Sequence, residues 1–229
     1  ARAARLAPLA TALFANSSQV DGAESGYQSF RQKIWRETDP DRCGLPTVVF
    51  EPDFSLERWL DWVLDVPAIF RHKARGLVPA GGVRFKDFLT LTGCDAIHDQ
   101  DWETHVSTIF TEVRSYTYIE VRSADLQPPD LMFAVPAFWT GLLYHGSALD
   151  AALELGSPYS SHADWATAME DAARDGLDGK TAGGTWRELA ARAVPLAIEG
   201  LRAEADAFGH MDAAIEALQR LADNKDIRF

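Results

Sequence analysis

The sequence predicts an α+β fold and not an alternating parallel α/β fold. The region up to residue 125 mixes short strand and helix patterns, whereas the region after it is alanine-rich and helical. Elements that are segregated along the chain in this way favour an α+β arrangement. The 229 residues suit one large domain, or one and a half small ones, and a hydrophobic content of 47% is enough to form a core.

Short helices and strands are expected together in the N-terminal part. The leucines at positions 6, 9 and 13 lie at helical spacing and predict a first helix. Thr47–Phe50 is a short apolar strand candidate. Ser55 is suited to cap the helix that follows it, and Asp101 is suited to cap a later helix. Residues 117–122 form the clearest strand pattern, bounded by polar turns.

The C-terminal part is predicted to be helical throughout. A helix is expected from about Pro136 to Leu155, because proline is tolerated in a first helical turn. Pro195 stands within a helical pattern and predicts a kink or a break. Asp212 is suited to cap a last helix.

Charge and hydropathy argue against two classes of protein. The formal net charge of −12 disfavours a nucleic-acid-binding protein, which needs a basic surface. No apolar run approaches the ~20 residues of a membrane-spanning helix, so no membrane contact is expected. Cys43 and Cys94 are too few for a disulfide scaffold and are interpreted as reduced thiols in a cytoplasmic protein.

The strand at 117–122 carries the first candidate site. Alternate side chains share one face of a strand, so Tyr118, Glu120 and Arg122 point one way, and Ile119 and Val121 point towards the core. Glu120 could bind Mg²⁺ and Arg122 could bind phosphate. An ordinary ion pair on a solvated face explains the same spacing, and the spacing does not decide between the two.

The loop from Asn16 to Trp35 is the second candidate. It supplies Asn16, Ser17, Tyr27, Ser29 and Arg31 in quick succession, with glycines that let the backbone bend. Arg31 could hold a substrate carboxylate, but a surface loop with an ordinary arginine remains the alternative.

Other patterns carry less functional signal. Trp102 and His105 share a helix face, and the favoured interpretation is aromatic packing with a hydrogen-bonded histidine. The chain has no Ser/His/Asp order, no Walker A loop and no GxGxxG motif.

Several stretches, taken together and in order, resemble the glutamate–cysteine ligase family of the plant and proteobacterial type. They are F-A-N-S at 14–17, G-Y-Q-S-F-R at 26–31, I-W at 34–35, D-R-C-G at 41–44, D-V-P at 65–67, D-W-E-T-H at 101–105, I-F-T-E-V-R at 109–114, Y-I-E-V-R-S-A-D at 118–125 and P-A-F-W-T-G-L-L-Y at 136–144. The resemblance covers roughly residues 6 to 155 and corresponds to the C-terminal half of such an enzyme.

The resemblance implies a fold and a reaction. The family has a glutamine-synthetase-like antiparallel sheet with flanking helices, followed here by a helical C-terminal region. Residues 1–155 would be the C-terminal part of the catalytic domain, and 156–229 a helical extension packed on it. The family uses Mg²⁺ and ATP to phosphorylate the γ-carboxylate of glutamate, and the cysteine amine then attacks the γ-glutamyl phosphate, a step of glutathione biosynthesis.

The resemblance also assigns roles to residues. Glu120 would be a Mg²⁺ ligand, and Arg122 would contact the transferred phosphate. Arg31 would bind a substrate carboxylate. Asn16 and Ser17 would lie near the reacting centre, and Tyr27 would contribute to substrate or nucleotide binding. The expected small-molecule partners are ATP, glutamate and cysteine, in the cytoplasm.

The chain also departs from the family pattern. Ser18 and Gln19 replace the Pro-Phe that usually follows A-N-S, Cys43 replaces a threonine, and Phe133 occupies the position of the regulatory cysteine of plant members. Family members carry a further N-terminal half, so the chain is expected to need such a half or to self-associate. A non-catalytic homologue or partner subunit, and a ligase with another amine acceptor, remain alternatives.

Overall fold

The computed structural model describes residues 1–209 and 211–228, and it leaves out the side chains of Cys94 and Phe208. The chain divides into two compact units. Unit 1 comprises Ala1 and Trp35–Glu120, and unit 2 comprises Arg2–Ile34 and Val121–Phe229. Helices and small sheets occur together, so the predicted α+β class is confirmed. The division between residues 1–155 and 156–229 stays a prediction.

The helices of the described residues are short to medium in length. In chain order they are α1 (Arg2–Leu13), α2 (Phe30–Thr38), α3 (Leu56–Asp65), α4 (Phe85–Phe88), α5 (Asp99–Ser107), α6 (Ala134–Tyr144), α7 (Gly146–Leu155), α8 (His162–Asp175), α9 (Trp186–Ala203), α10 (Ala205–Phe208) and α11 (Asp212–Asn224). Not one of them, over the described ranges, has the length and apolar character that a membrane crossing requires.

The strands pair two by two in the described part of the chain. They are β1 (Gln19–Val20), β2 (Ala23–Glu24), β3 (Cys43–Gly44), β4 (Phe70–Lys73), β5 (Gly76–Pro79), β6 (Phe110–Thr111), β7 (Val113–Ser115), β8 (Ile119–Val121), β9 (Lys180–Thr181) and β10 (Gly184–Thr185). Strands β3 and β6 pair in parallel, and each other strand pairs with its neighbour in sequence.

Unit 2 is built around α1, which is buried along almost its whole length. The predicted leucine stripe is confirmed, since Leu6, Leu9 and Leu13 are all buried. Helix α1 packs against α8 and α9, and the indole N–H of Trp165 in α8 donates to the carbonyl oxygen of Ala4 at 2.8 Å. Helix α9 also packs against α6, and it passes through Pro195 without a break.

Unit 1 has its own small core around Phe85. The buried ring of His105 stacks on Phe85 at 4.4 Å, and its Nε2 donates to the carbonyl oxygen of Val63 at 2.8 Å. The interpretation of His105 as a packed, hydrogen-bonded residue is confirmed. Burial lowers the pKa of His105, and the positive charge of Arg42 lowers it further.

Two helix boundaries differ from the prediction. The loop predicted from Asn16 to Trp35 ends at Phe30, where α2 begins. Asp212 is the first residue of α11 and does not cap it, because the cap position is Met211.

Four further local predictions are corrected by the structure. Thr47–Phe50 forms a 3-10 turn and not a strand, because Val49 N–H bonds the carbonyl oxygen of Pro46. Asp101 does not cap α5: His98 is the cap, and the Asp101 carboxylate bonds its backbone N–H. The helix predicted from Pro136 is divided at His145 into α6 and α7. Ile119 is 63% exposed and is not a core residue.

Candidate functional site

The carboxylate of Asp125 is the centre of a polar cluster in unit 2. Its Oδ2 accepts the backbone N–H of Asn16 at 2.8 Å and the hydroxyl of Ser17 at 2.7 Å. Its Oδ1 accepts the hydroxyl of Ser29 at 2.7 Å. The residue is only 4% exposed. A buried carboxylate is stable as an anion when it accepts several hydrogen bonds of this kind.

Two of the predicted site residues, Arg31 and Arg122, meet beside this cluster. The Nη1 of Arg31 donates to the backbone carbonyl oxygen of Arg122 at 3.0 Å. Both side chains are half-buried. The remaining N–H groups of the Arg31 guanidinium bond no partner within residues 1–209 and 211–228. A guanidinium held at one corner in this way is suited to bind a carboxylate or a phosphate with its other N–H groups.

Asn16 lies on the exposed side of the cluster with a fixed amide orientation. Its Nδ2 donates to the carbonyl oxygen of Leu126 at 2.9 Å, which directs its Oδ1 acceptor away from that carbonyl. The amide of Gln127 donates to the carbonyl oxygen of Phe14 at 2.8 Å. Each of the two segments, the one before Ser17 and the one after Asp125, therefore donates a side-chain hydrogen bond to the backbone of the other.

A lysine from the C-terminal part of unit 2 reaches the same segment. The Nζ of Lys225 donates to the carbonyl oxygen of Ala15 at 2.9 Å. Burial lowers the pKa of Lys225, an effect that the negative charge of Asp125 opposes and the positive charge of Arg187 reinforces. The residue that follows α11 is thus hydrogen-bonded to the residue that precedes Asn16.

Tyr27 is placed differently from the other residues of its loop. Its hydroxyl donates to Oε1 of Glu170 in α8 at 2.8 Å, and the following backbone N–H groups of Gln28 and Ser29 bond the carbonyl oxygen of Ala173. These contacts attach the loop to the end of α8 and do not bring the Tyr27 hydroxyl into the Asp125 cluster. A role for Tyr27 in nucleotide or substrate binding stays a prediction.

Glu120 belongs to unit 1, where its carboxylate pairs with Arg114. The ion pair has an N–O distance of 3.7 Å, and the Arg114 guanidinium also lies over the ring of Tyr116 at 4.7 Å. The described side chains include no group of three or more His, Cys, Asp and Glu residues that could hold a metal ion. A role for Glu120 as a Mg²⁺ ligand stays a prediction.

Sequence reasoning missed the two residues that organise this cluster, Asp125 and Lys225. Asp125 closes the Y-I-E-V-R-S-A-D stretch, so the resemblance already included it, but no local pattern marks it as buried. Its hydrogen-bond partners are 96 to 109 positions away in the sequence. Lys225 lies in a polar C-terminal stretch that is typical of solvated residues.

Comparison with known proteins decides the family. The model of glutamate-cysteine ligase family 2 (GCS2) matches residues 1–224. The chain belongs to this family. The resemblance stated from the sequence motifs is thereby confirmed, and the match extends well beyond residue 155 into the helical region.

Curated members of the family include plant enzymes. The chain is 38% identical over 206 residues to the chloroplastic glutamate–cysteine ligase of Arabidopsis thaliana, which covers 86% of this chain and 38% of the relative. It is 37% identical over 225 residues to the enzyme of Brassica juncea, covering 93% of this chain and 42% of the relative. The chain therefore spans about two fifths of the length of these relatives.

The comparison also corrects one expectation from the sequence. The cytoplasmic location is wrong by this measure, because the relatives of Arabidopsis thaliana, Nicotiana tabacum and Brassica juncea are all named chloroplastic enzymes. The reduced state of two cysteines is compatible with more than one compartment, so it was a weak basis for that prediction.

Proposed function

We propose that this chain is part of a glutamate–cysteine ligase and contributes the Asp125 cluster to its substrate site. The reaction is the ATP-dependent joining of the γ-carboxylate of glutamate to the amine of cysteine through γ-glutamyl phosphate. The observation that carries the proposal is the anchored Arg31 guanidinium beside Arg122, in a chain of this family. Both arginines are half-buried, which strengthens their attraction for an anion.

The chemistry requires neutralisation of negative charge at two places. In the first step a γ-carboxylate oxygen of glutamate attacks the γ-phosphorus of ATP, and the bond to ADP breaks. In the second step the cysteine nitrogen attacks the acyl carbon, the C–N bond forms, and phosphate leaves with the bonding electrons while the nitrogen loses a proton. Arg122 stabilises the transferred phosphoryl group, and Arg31 holds a substrate carboxylate.

Asn16 has a complementary role in this proposal. Its Oδ1 is an acceptor with no partner in the described part of the chain, since its amide N–H bonds Leu126. An amide oxygen of this kind is suited to accept from a substrate ammonium or amine N–H group. The neighbouring Ser17 supports Asn16, because its hydroxyl donates to Asp125.

In this proposal Mg²⁺ binds together with ATP. Magnesium is often bound by one or two carboxylates together with substrate phosphates, and Glu120 is the proposed carboxylate of this chain. In this proposal the ATP phosphates and further carboxylates complete the coordination. The ion would neutralise phosphate charge. We also infer that β7 and β8 belong to a glutamine-synthetase-like sheet in the whole enzyme.

The test uses the gene product that contains this chain. Incubated with ATP, Mg²⁺, glutamate and cysteine, it should release ADP and γ-glutamylcysteine in equal amounts. Arg31→Lys should raise the KM for glutamate at least about tenfold, because lysine cannot reproduce two-pronged carboxylate binding. Arg220→Lys is the control, since Arg220 is exposed and pairs with Glu216 within α11.

Each other outcome selects an alternative. ADP release with a different amine and not with cysteine would replace the acceptor while leaving the ligase chemistry intact. Tight ATP binding without ADP release would favour a non-catalytic homologue. Equal glutamate KM values in the wild type and Arg31→Lys would remove Arg31 from the site.

A further inference from the structure

We infer that Asp125 is a positioning residue that holds Asn16, Arg31 and Arg122 in one arrangement through a relay of two serine hydroxyls. The inference rests on the proposed function for its catalytic consequence, but the relay itself is a geometric feature of unit 2. Asp125 contacts the segment of Asn16 directly. It reaches Arg31 through the Ser17 hydroxyl and Gln32 through the Ser29 hydroxyl.

The relay ends at the first turn of α2. The Ser17 hydroxyl, which donates to Asp125, accepts the backbone N–H of Arg31 at 3.1 Å. The Ser29 hydroxyl, which also donates to Asp125, accepts the backbone N–H of Gln32 at 3.3 Å. The first N–H groups of a helix have no partner within the helix, so these hydroxyls satisfy them. The negative charge of Asp125 is favourable at this positive end of the helix dipole.

The segment that carries Asp125 also supplies the partner of Arg31. The backbone carbonyl of Arg122, three residues before Asp125, accepts from the Arg31 guanidinium at 3.0 Å. Asn16 is attached at both ends, by its backbone N–H to Asp125 and by its side chain to Leu126. One buried carboxylate therefore sets the spacing among three segments that are distant in sequence.

The geometry distinguishes positioning from direct chemistry. Both carboxylate oxygens are engaged by the three donors, and the residue is 4% exposed. A carboxylate in this state is poorly placed to accept a proton from substrate or to bind a metal ion. Its contribution comes from the orientation of the neighbouring arginines and Asn16, for which small displacements are costly.

Asp125→Asn and Asp125→Ala separate the possibilities. Asparagine keeps one acceptor for Asn16 N–H and the Ser17 hydroxyl, and its amide can donate to the Ser29 hydroxyl, so the arrangement should survive. Alanine removes all three bonds. In the whole gene product we expect Asp125→Ala to lower kcat/KM for glutamate about 100-fold per folded molecule. Asp125→Asn should retain most of the wild-type kcat/KM. Asp130→Ala, which alters an exposed aspartate five residues later, should leave kcat/KM unchanged.

Hydrogen exchange gives a readout that does not depend on activity. The amides of Asn16, Arg31 and Gln32 should exchange about tenfold faster in Asp125→Ala than in Asp130→Ala, as expected for a lost buried acceptor. Ser17→Ala should affect Arg31 and Ser29→Ala should affect Gln32. These milder variants decide the question if Asp125→Ala does not fold.

The possible failures can be told apart. A wild-type protein that makes no γ-glutamylcysteine overturns the proposed function, and the exchange pattern still decides the role of Asp125. Unchanged exchange at Arg31 and Gln32 overturns the relay, because the Asn16 N–H bonds Asp125 directly and does not report on the serines. Asp125→Asn as inactive as the alanine variant, with normal exchange, would assign the carboxylate a direct chemical role and overturn positioning.

Discussion

Gly141 of α6 and Gly200 of α9 face each other so closely that a Cβ on Gly200 would lie 2.0 Å from the carbonyl oxygen of Gly141. A Cβ on Gly141 would lie equally close, at 2.0 Å, to the carbonyl oxygen of Ala197. The backbones of the two helices are therefore in direct contact. Only residues without a side chain permit this approach, and the core of unit 2 depends on it.

Gly200→Ala should destabilise the protein although alanine is the better helix former. The substitution gains about 1 kcal/mol of helix propensity, but it forces apart two backbones and should cost about 1–3 kcal/mol net. Gly146→Ala is the matched control, because no atom lies within 4 Å of the added carbon at the start of α7. Urea unfolding measures both. A Gly200→Ala variant as stable as the wild type would contradict the close contact.

His105 should make unit 1 sensitive to mild acid. Burial holds the pKa of His105 below its ordinary value of 6.5, so the unfolded chain binds this proton at a higher pH than the folded chain. Stability should therefore be constant above pH 6.5 and fall as the pH drops below it. Unfolding measured from pH 8 to 5 should show the decline.

Two variants control the histidine experiment. His105→Gln can still donate to the carbonyl oxygen of Val63 but carries no titrating ring, so its stability should change less over the same pH range. His162→Gln, at a half-exposed position in unit 2, should leave the pH dependence unchanged. The same decline in His105→Gln and the wild type would assign the acid sensitivity to another group.

Thr185 should contribute measurably to the stability of α9. Its hydroxyl accepts the backbone N–H of Glu188 at 3.2 Å, and the Glu188 carboxylate accepts the backbone N–H of Thr185 at 2.7 Å. Thr185→Ala should cost about 1 kcal/mol, and Thr185→Ser should retain most of the stability. Chemical unfolding of the two variants tests the cap, and equal losses in both would refute the role of the hydroxyl.

The exposed end of β8 should promote self-association. Ile119 is 63% exposed on a two-stranded hairpin, and such an edge can pair with another chain. Ile119→Lys should lower the average mass of this chain in light scattering at high concentration. Leu56→Lys, which alters a 61% exposed leucine of α3, is the control for a general gain in solubility. A monomeric wild type would disprove the prediction.

Local patterns predicted the elements whose causes are local. The leucine spacing of α1 and the Ser55 cap of α3 were both recognisable, because helical periodicity and capping involve neighbouring residues. The turn at Thr47–Phe50 was mistaken for a strand because its β-branched residues favour strands. Asp125 could not be found in this way, since its partners come from segments about a hundred positions away.

The bond from Lys225 to the carbonyl oxygen of Ala15 couples the segment after α11 to the proposed substrate site. A peptide or antibody that captured residues 212–228 would withdraw this ammonium and release the backbone immediately ahead of Asn16. A molecule that binds α11 could then slow turnover without entering the proposed site.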